Sequence, residues 1–388
     1  MRAVSYSKNN HLTLLHRGAE FFPALVQAFD AAESEIYLET YIFALDETGQ
    51  QVKSALIRAA ARGVIVHVMV DWLGSGRERC KLLAAEFEPA GVRFSSFNPW
   101  FERGVVRTHR KIVVIDERLA FLGGLNINDD MLSDDDSAAP LPVPRWDFAV
   151  GISGPLVEAI QHEVAEQWDR VNFTNLRKRW QNLKNIRIAR SKLALAVAEA
   201  GLVVRDNLRN RSTIQRALLH ALGHAHHTAY FVTPYFAPGR KLRRALVMAA
   251  RRGVAVTLLI GVGQFRMQDA VAQSFYPRLQ RAGVRLVEYG KTQLHGKVAV
   301  IDDEWATVGS SNFDGLSLFV NHEANIIVRD SDFAQSLRTY IERGIADGRV
   351  VGADEVAAFS WARRVKNGLA YFLYKTVLHV ITAGRYSK

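Results

Sequence analysis

The chain has one cysteine, Cys80, in 388 residues. That excludes an internal disulfide framework and a cysteine-based zinc site, and it suits a reducing compartment. Cys80 itself reads as an inert thiol. The opening MRAVSYSKNNHLTLLHRGAE lacks an apolar run of secretory length, so the chain is expected to stay in the cytosol. The longest apolar run elsewhere, Leu369 to Ala383, is interrupted by Lys375 and His379. It falls short of the roughly 20 residues that a membrane span requires. Acidic residues are in deficit, 39 Asp plus Glu against 50 Lys plus Arg, for a net charge of +11. This favours an anionic partner, whether nucleic acid, an acidic membrane surface or a phosphorylated small molecule, without choosing among them. Apolar material is plentiful: 48% of residues are hydrophobic, enough for about two domains with filled cores.

Those two domains are copies. AAARGVIVHVMVD (59–71) returns as AARRGVAVTLLIG (249–261), AGVRF (90–94) as AGVRL (282–286), and THRKIVVID (108–116) as LHGKVAVID (294–302), in the same order. Before its histidine the first copy carries extra residues that include Trp100, Phe101, Arg103 and Arg107. Each copy reads as a helix (Ala24 to Ala32; Ile214 to His224) and an apolar strand (Ile36 to Phe43; Tyr230 to Phe236). A second helix then ends at Arg62 or Arg252 and leads through glycine into another strand (Val64 to Val70; Val254 to Ile260). Runs such as Ile112 to Ile115 and Val298 to Ile301 are almost wholly apolar, as strands covered on both faces are. The fold class is therefore α/β, in two halves, each with a helix-covered sheet. The expected domains are 1–175 and 201–350, joined by a basic linker at 176–200 and followed by an amphipathic segment at 351–388. In the linker, Arg177, Lys178, Arg179, Lys184, Arg187, Arg190 and Lys192 surround Trp180 without an acid. It reads as a solvated basic helix or a contact for anionic headgroups. The aspartates of DDMLSDDDSAAPLPVP (129–144) read as a solvated loop.

Both copies carry H-x-K-x4-D, followed by a small-residue turn ending in asparagine: His109, Lys111, Asp116 and Asn126; His295, Lys297, Asp302 and Asn312. Strand alternation puts His and Lys on one face, with each aspartate at or past the strand end. Asp116 and Asp302 complete the motif and read as local structural anchors. Histidine can transfer protons near neutral pH or attack phosphorus, lysine brings positive charge, and Asn126 and Asn312 bring neutral donors for phosphate oxygens. This chemistry fits a phosphodiester and needs no metal or cofactor. Each histidine needs an orienting partner, and Asp147 and Glu323, each at the head of an apolar run, are expected to hold His109 and His295 respectively.

These stretches, with LETYIF (38–43), FLGGLN (121–126), WATVGSSNFDGLSL (305–318) and HEAN (322–325), resemble the phospholipase D superfamily and within it the bacterial cardiolipin synthases, over essentially the whole chain. The resemblance implies two duplicated phospholipase D-like domains, each a mixed sheet flanked by helices, with one active site at their pseudo-twofold interface. It also implies a phosphatidyl-histidine intermediate on His109, with His295 protonating the leaving alcohol; the residues alone equally allow acid–base catalysis without a covalent step. Thr108 departs from the methionine frequent in that group. The implied activity is phosphatidyl transfer from phosphatidylglycerol to a second phosphatidylglycerol or related alcohol, releasing glycerol. A phospholipid hydrolase, a duplicated-motif nuclease or an inactive binding protein are the alternatives. Expected partners are anionic phospholipids and a membrane surface rather than nucleic acid, with a peripheral location on the cytoplasmic side of the cell membrane. Trp100 and Phe101 could meet that surface. So could the C-terminal helix, whose Lys375, His379 and Thr382 form one polar stripe and which is expected to lie flat.

Overall fold

A computed structural model describes residues 4–102, 104–134, 138–172, 198–207 and 210–382. The chain folds as two compact units, 1–129 with 149–202, and 130–148 with 203–388. The expected first domain is thus interrupted: residues 130–148 fold with the second unit. The basic segment from Arg177 to Lys192 lies outside the described residues.

Unit 1 carries β1 (Ser7–His16), β2 (Glu35–Thr40), β3 (Ile65–Asp71), β4 (Arg93–Phe97), β5 (Ile112–Ile115), β6 (Leu119–Gly123), β7 (Phe148–Ser153) and the start of β8 (Ala198–Arg205). Their order is β8-β1-β7-β6-β5-β2-β3-β4. The β2, β3 and β4 strands run parallel, while β5, β6 and β7 continue from β2 antiparallel. Alternation splits each strand between two cores. Ile36, Leu38, Val66, Val68 and Val70 meet Phe22, Leu25, Phe29, Leu56 and Phe87 of the helices on one side. Met69 and Phe97 meet Trp168 of the helix Leu156–Asn172 on the other. Covered on both faces, β5 can be IVVI with every residue buried.

Unit 2 repeats this plan. It has β9 (Thr228–Thr233), β10 (Phe236–Ala237), β11 (Ala255–Gly261), β12 (Arg285–Tyr289), β13 (Val298–Ile301), β14 (Trp305–Gly309), β15 (Phe313–Asp314), β16 (Glu323–Arg329) and β17 (Arg349–Val350). The main sheet runs β17-β12-β11-β9-β13-β14-β16, and β10 pairs with β15. Here β9, β11 and β12 are parallel, and β13, β14 and β16 continue antiparallel. Each half is therefore a mixed sheet flanked by helices.

The repeated sequence blocks make repeated contacts. Gly63 and Gly253 take φ values of 91° and 94°, a left-handed turn that costs glycine no steric penalty. The preceding arginine reaches back to the end of an earlier helix. Arg62 Nη2 donates to the carbonyls of Phe29 (2.7 Å) and Ala32 (3.3 Å), and Arg252 Nη2 to those of Leu222 (2.7 Å) and Ala225 (3.3 Å). Two boundaries differ from expectation. The first helix spans Arg17–Asp30 with Pro23 inside, because burial of Phe21, Phe22, Leu25 and Phe29 outweighs the missing proline N–H. The C-terminal helix, Trp361–Ile381, expected to lie flat, has one face packed on the body of unit 2 through Leu378 and Tyr374, against Phe319 and Val320.

The motif aspartates sit at the turns after β5 and β13, with φ of 52° and 53°, where Asp is tolerated better than most residues. Asp116 accepts from the backbone N–H groups of Glu33 (2.9 Å), Ser34 (2.7 Å) and Glu35 (2.9 Å). Asp302 accepts from those of His226 (2.6 Å), His227 (2.7 Å) and Thr228 (2.9 Å). Burial pushes both carboxyls up, but these hydrogen bonds outweigh it and hold them below the usual carboxylate range. Both carboxylates are thus engaged in fixing the entry to β2 and β9, which makes them structural members of the motif. Asp116→Ala and Asp302→Ala are each expected to cost about 2 kcal/mol in urea unfolding, with the activity of the folded fraction retained.

Candidate active site

In unit 1 the strand alternation works as the spacing requires. Lys111 Nζ donates to the carbonyl of His109 at 2.8 Å and lies 5.2 Å above the Tyr41 ring. That ring meets the His109 imidazole edge-on at 5.0 Å. Asn126 is buried, and its Oδ1 accepts from the Ile42 N–H at 3.3 Å, so its NH2 is the end left to donate to an anion. Behind this set is a buried polar network that the sequence reading missed. Thr108 donates its N–H to Asp71 Oδ2 at 2.8 Å and its hydroxyl to Glu39. Arg110, wholly buried, pairs with Glu163 at 2.9 Å. Burial pushes the Asp71 carboxyl up to about 6 and raises that of Glu39 as well. The available signal was Glu39, an acid inside a stretch, Ile36 to Phe43, read as an apolar strand.

Trp100 and Phe101 are exposed and meet the Trp72 ring, one tilted at 5.3 Å and the other edge-on at 5.7 Å, with the Arg77 and Arg107 guanidiniums over their rings at 4.5 and 4.8 Å. Arg103 lies outside the described residues.

In unit 2 the orienting acid is not the one expected. Asp147, assigned to His109, contacts His295: its Oδ2 is 2.5 Å from Nδ1. Backbone geometry brings it there. Trp146 N–H donates to the Gln293 carbonyl (3.0 Å), and the N–H groups of His295 (2.9 Å) and Gly296 (2.8 Å) donate to the Trp146 carbonyl. Gly296 makes room for the neighbouring indole, since a Cβ there would lie 2.7 Å from a Trp146 ring carbon. Glu323, assigned to His295, is wholly buried and accepts from Ser310 Oγ at 2.5 Å in the G-S-S-N turn. Lys297 Nζ donates to the His295 carbonyl, repeating the Lys111 contact. Asn312 is buried and directly precedes β15.

Asp134 is a second correction. Rather than being solvated, it is half-buried with its side chain only 9% exposed, pairs with Arg145, and places Oδ2 3.3 Å from His295 Nε2. Its own N–H donates to Gln293 Oε1 at 3.0 Å. Sequence spacing could not reveal this, because the contact depends on residues 130–148 folding with the second unit.

Electrostatics follow from burial. Asp147 is pushed up by desolvation, but the charges of Lys297 and His295 outweigh this and hold it down at about 2. Burial and then Lys297 hold the His295 pKa well below the usual histidine value, so the resting imidazole is neutral. Burial also holds Lys297 down, at about 7. With Nδ1–H directed at a permanent carboxylate, His295 presents Nε2 as its reactive nitrogen.

The family model described as "Cardiolipin synthase, PLD-like domain" matches residues 25–139 and 218–345. Cardiolipin synthase B of Escherichia coli K12 is 37% identical over 95% of this chain and 88% of its own length. The Salmonella typhi protein of the same name is 36% identical over 94% and 88%. The crystal structure of phosphatidylserine synthase from Haemophilus influenzae Rd KW20 superposes with a TM-score of 0.72 over 98% of this chain and 97% of that one, at 15% identity. Each half is a mixed sheet in which the histidine and lysine directly precede an inner strand, Ile112–Ile115 or Val298–Ile301. The chain belongs to the cardiolipin synthase, phospholipase D-like family of phosphatidyl-transferring enzymes.

An asparagine at 147 would offer an amide NH2 to Nδ1 and so favour the tautomer with its proton on Nε2. Asp147→Asn is therefore expected to lower kcat on the order of a thousandfold with little change in KM, measured by initial rates.

Proposed function

We propose that the chain joins phosphatidyl groups in the manner of a cardiolipin synthase, taking phosphatidylglycerol as donor and a second phosphatidylglycerol as acceptor. The observation that carries this is the His295–Asp147 pair beside Lys297, a proton-handling dyad in a charge-binding setting, within a chain that repeats the same His-Lys-Asn set at His109, Lys111 and Asn126. The curated relatives named cardiolipin synthase B support the choice of substrate.

In the first step His109 attacks phosphorus, the bond from phosphorus to the headgroup glycerol oxygen breaks, and that oxygen takes a proton from His295. The products are glycerol and a phosphatidyl-histidine. In the second step the acceptor hydroxyl gives its proton to His295 and attacks phosphorus. The phosphorus–nitrogen bond breaks, His109 is restored and cardiolipin leaves. The anionic phosphodiester favours the protonated imidazole that the first step needs, offsetting the burial that keeps His295 neutral at rest. Lys111, Lys297, Asn126 and Asn312 stabilise the charge spread over phosphoryl oxygens. The enzyme acts peripherally on the cytoplasmic face of the cell membrane.

Product analysis tests this. Phosphatidylglycerol vesicles should yield glycerol and cardiolipin in equal amounts. Phosphatidic acid instead would make the chain a hydrolase, and cleavage of DNA in a parallel incubation with no lipid product would make it a nuclease. With labelled donor, His295→Ala should accumulate an acid-labile adduct, since step one can be slow but step two lacks its base; absence of any adduct would overturn the covalent route.

The pH profile follows from Lys297, which is charged below about 7 and neutral above it. Its phosphate-binding form is lost as pH rises, so kcat/KM should fall on the alkaline side. Lys297→Arg, whose guanidinium keeps its charge, should remove that limb even if the maximum rate drops.

A further inference from the structure

The helix Trp361–Ile381 has two apolar faces, and among the described residues only one has a partner. On the inner face, Leu378 is 1% exposed and packs against Val320, with Phe319 and Tyr374 beside it. Tyr371 stacks edge-on with Phe275 at 4.9 Å and receives a hydrogen bond from Arg243 at 3.2 Å. The Tyr374 hydroxyl accepts from the Gly315 N–H at 2.9 Å. The helix is therefore anchored, and its outer face is fixed in direction.

That outer face holds Trp361, Val365, Leu369, Phe372, Leu373, Val377 and Val380, each between 47% and 79% exposed. Steps of three and four residues, with Phe372 and Leu373 side by side, place them in one broad stripe opposite Leu378. At 1.5 Å per residue the stripe is about 28 Å long. The row is broken by Thr376, whose hydroxyl is tied back to the Phe372 carbonyl at 2.9 Å, and bordered by Lys366; on an anchored helix it marks a contact surface rather than scattered exposure.

We propose that this stripe is the seat of an anionic lipid bilayer surface, with the helix lying in the plane of the interface. Charge selects this occupant. From Trp361 to Thr382 there is no aspartate or glutamate, while Arg363, Arg364, Lys366, Lys375 and His379 run alongside the stripe. At its start, Arg266, Arg363 and Lys366 line a notch with Asp269, Gln273 and Asn367, a net positive setting for a headgroup phosphate. Met267 extends the apolar side next to Trp361, Val365 and Leu369. A second copy fits less well, since pairing this face with itself would set the basic flank against basic flank. Among the described residues, no helix is long and apolar enough to cross a membrane, so contact is by lying on it.

This inference rests on the phospholipid reading of the active site, but its test is separate from catalysis. The full-length protein should co-sediment with vesicles of phosphatidylcholine mixed with phosphatidylglycerol, and much less with phosphatidylcholine alone. The triple variant Leu369→Ser, Phe372→Ser, Val377→Ser alters only exposed positions. It should keep the thermal unfolding midpoint and lose partitioning on the order of a hundredfold. Arg364→Gln with Lys375→Gln should reduce binding to the mixed vesicles alone. Partitioning unchanged in the triple variant would overturn the proposal. So would a wild-type dimer that the triple variant splits while vesicle binding persists, which would assign the stripe to a second copy. Vesicle binding lost as expected in a protein that makes no cardiolipin would leave this surface standing and overturn the catalytic reading instead.

Discussion

The contact between the Asp147 carboxylate and Nδ1 of His295 sets terms for the residues around it. A carboxylate wholly removed from water survives as an anion only if charge and hydrogen bonds compensate the loss of hydration. Lys297 supplies the charge, the imidazole and the Phe148 N–H supply the hydrogen bonds, and the acid is held ionised. The same burial weakens the hold of His295 and Lys297 on their protons. One buried anion thus fixes the tautomer of the histidine, while burial, against the pull of that anion, brings the lysine down to titrate near neutrality. Gly296 and the Trp146 backbone bridge are the fold's means of delivering that anion.

The two halves share strands, turns and motif but diverge directly behind their histidines. In the first half Glu39, Asp71, Thr108 and Arg110 form a buried polar frame around the backbone of His109. At the matching positions of the second half stand Val232, Gly261, Leu294 and Gly296, which are small or apolar and receive an indole instead. A duplicated fold has been given two different supports. Under the proposed mechanism this unequal support would suit unequal work, since a nucleophile must be held rigidly in line with phosphorus, whereas a proton shuttle needs its second nitrogen controlled.

Much of this was legible in the sequence because the halves could be compared with each other. The strands at 112–115 and 298–301, the turn glycines at 63 and 253, and the placing of His with Lys all followed from repeat and alternation, and Asp116 and Asp302 could be set apart from them because they fall five positions on, at or past the strand end. The partner of each histidine was not legible. Chain order suggested that an acid just after a motif serves that motif, and nothing local records that residues 130–148 leave the unit in which they begin. Asp134 was misread for the same reason: in isolation an aspartate-rich loop is most simply solvated, and only its position beside Arg145 and His295 changes that. The Thr108 frame was overlooked because an unusual residue next to a catalytic histidine was weighed as a substitution rather than as a donor with two acceptors.

The excursion of residues 130–148 also bears on how such a protein could have come into being. The carboxylate that completes the second histidine is encoded ahead of the linker, on the far side of the natural cut between the copies. A gene fragment beginning at the second repeat would specify His295, Lys297 and Asn312 yet omit Asp147. A protein built of one such repeat would have to borrow that acid from another molecule of itself. Fusion of the two copies turns that loan into an internal fixture, independent of protein concentration, and leaves each copy free to specialise.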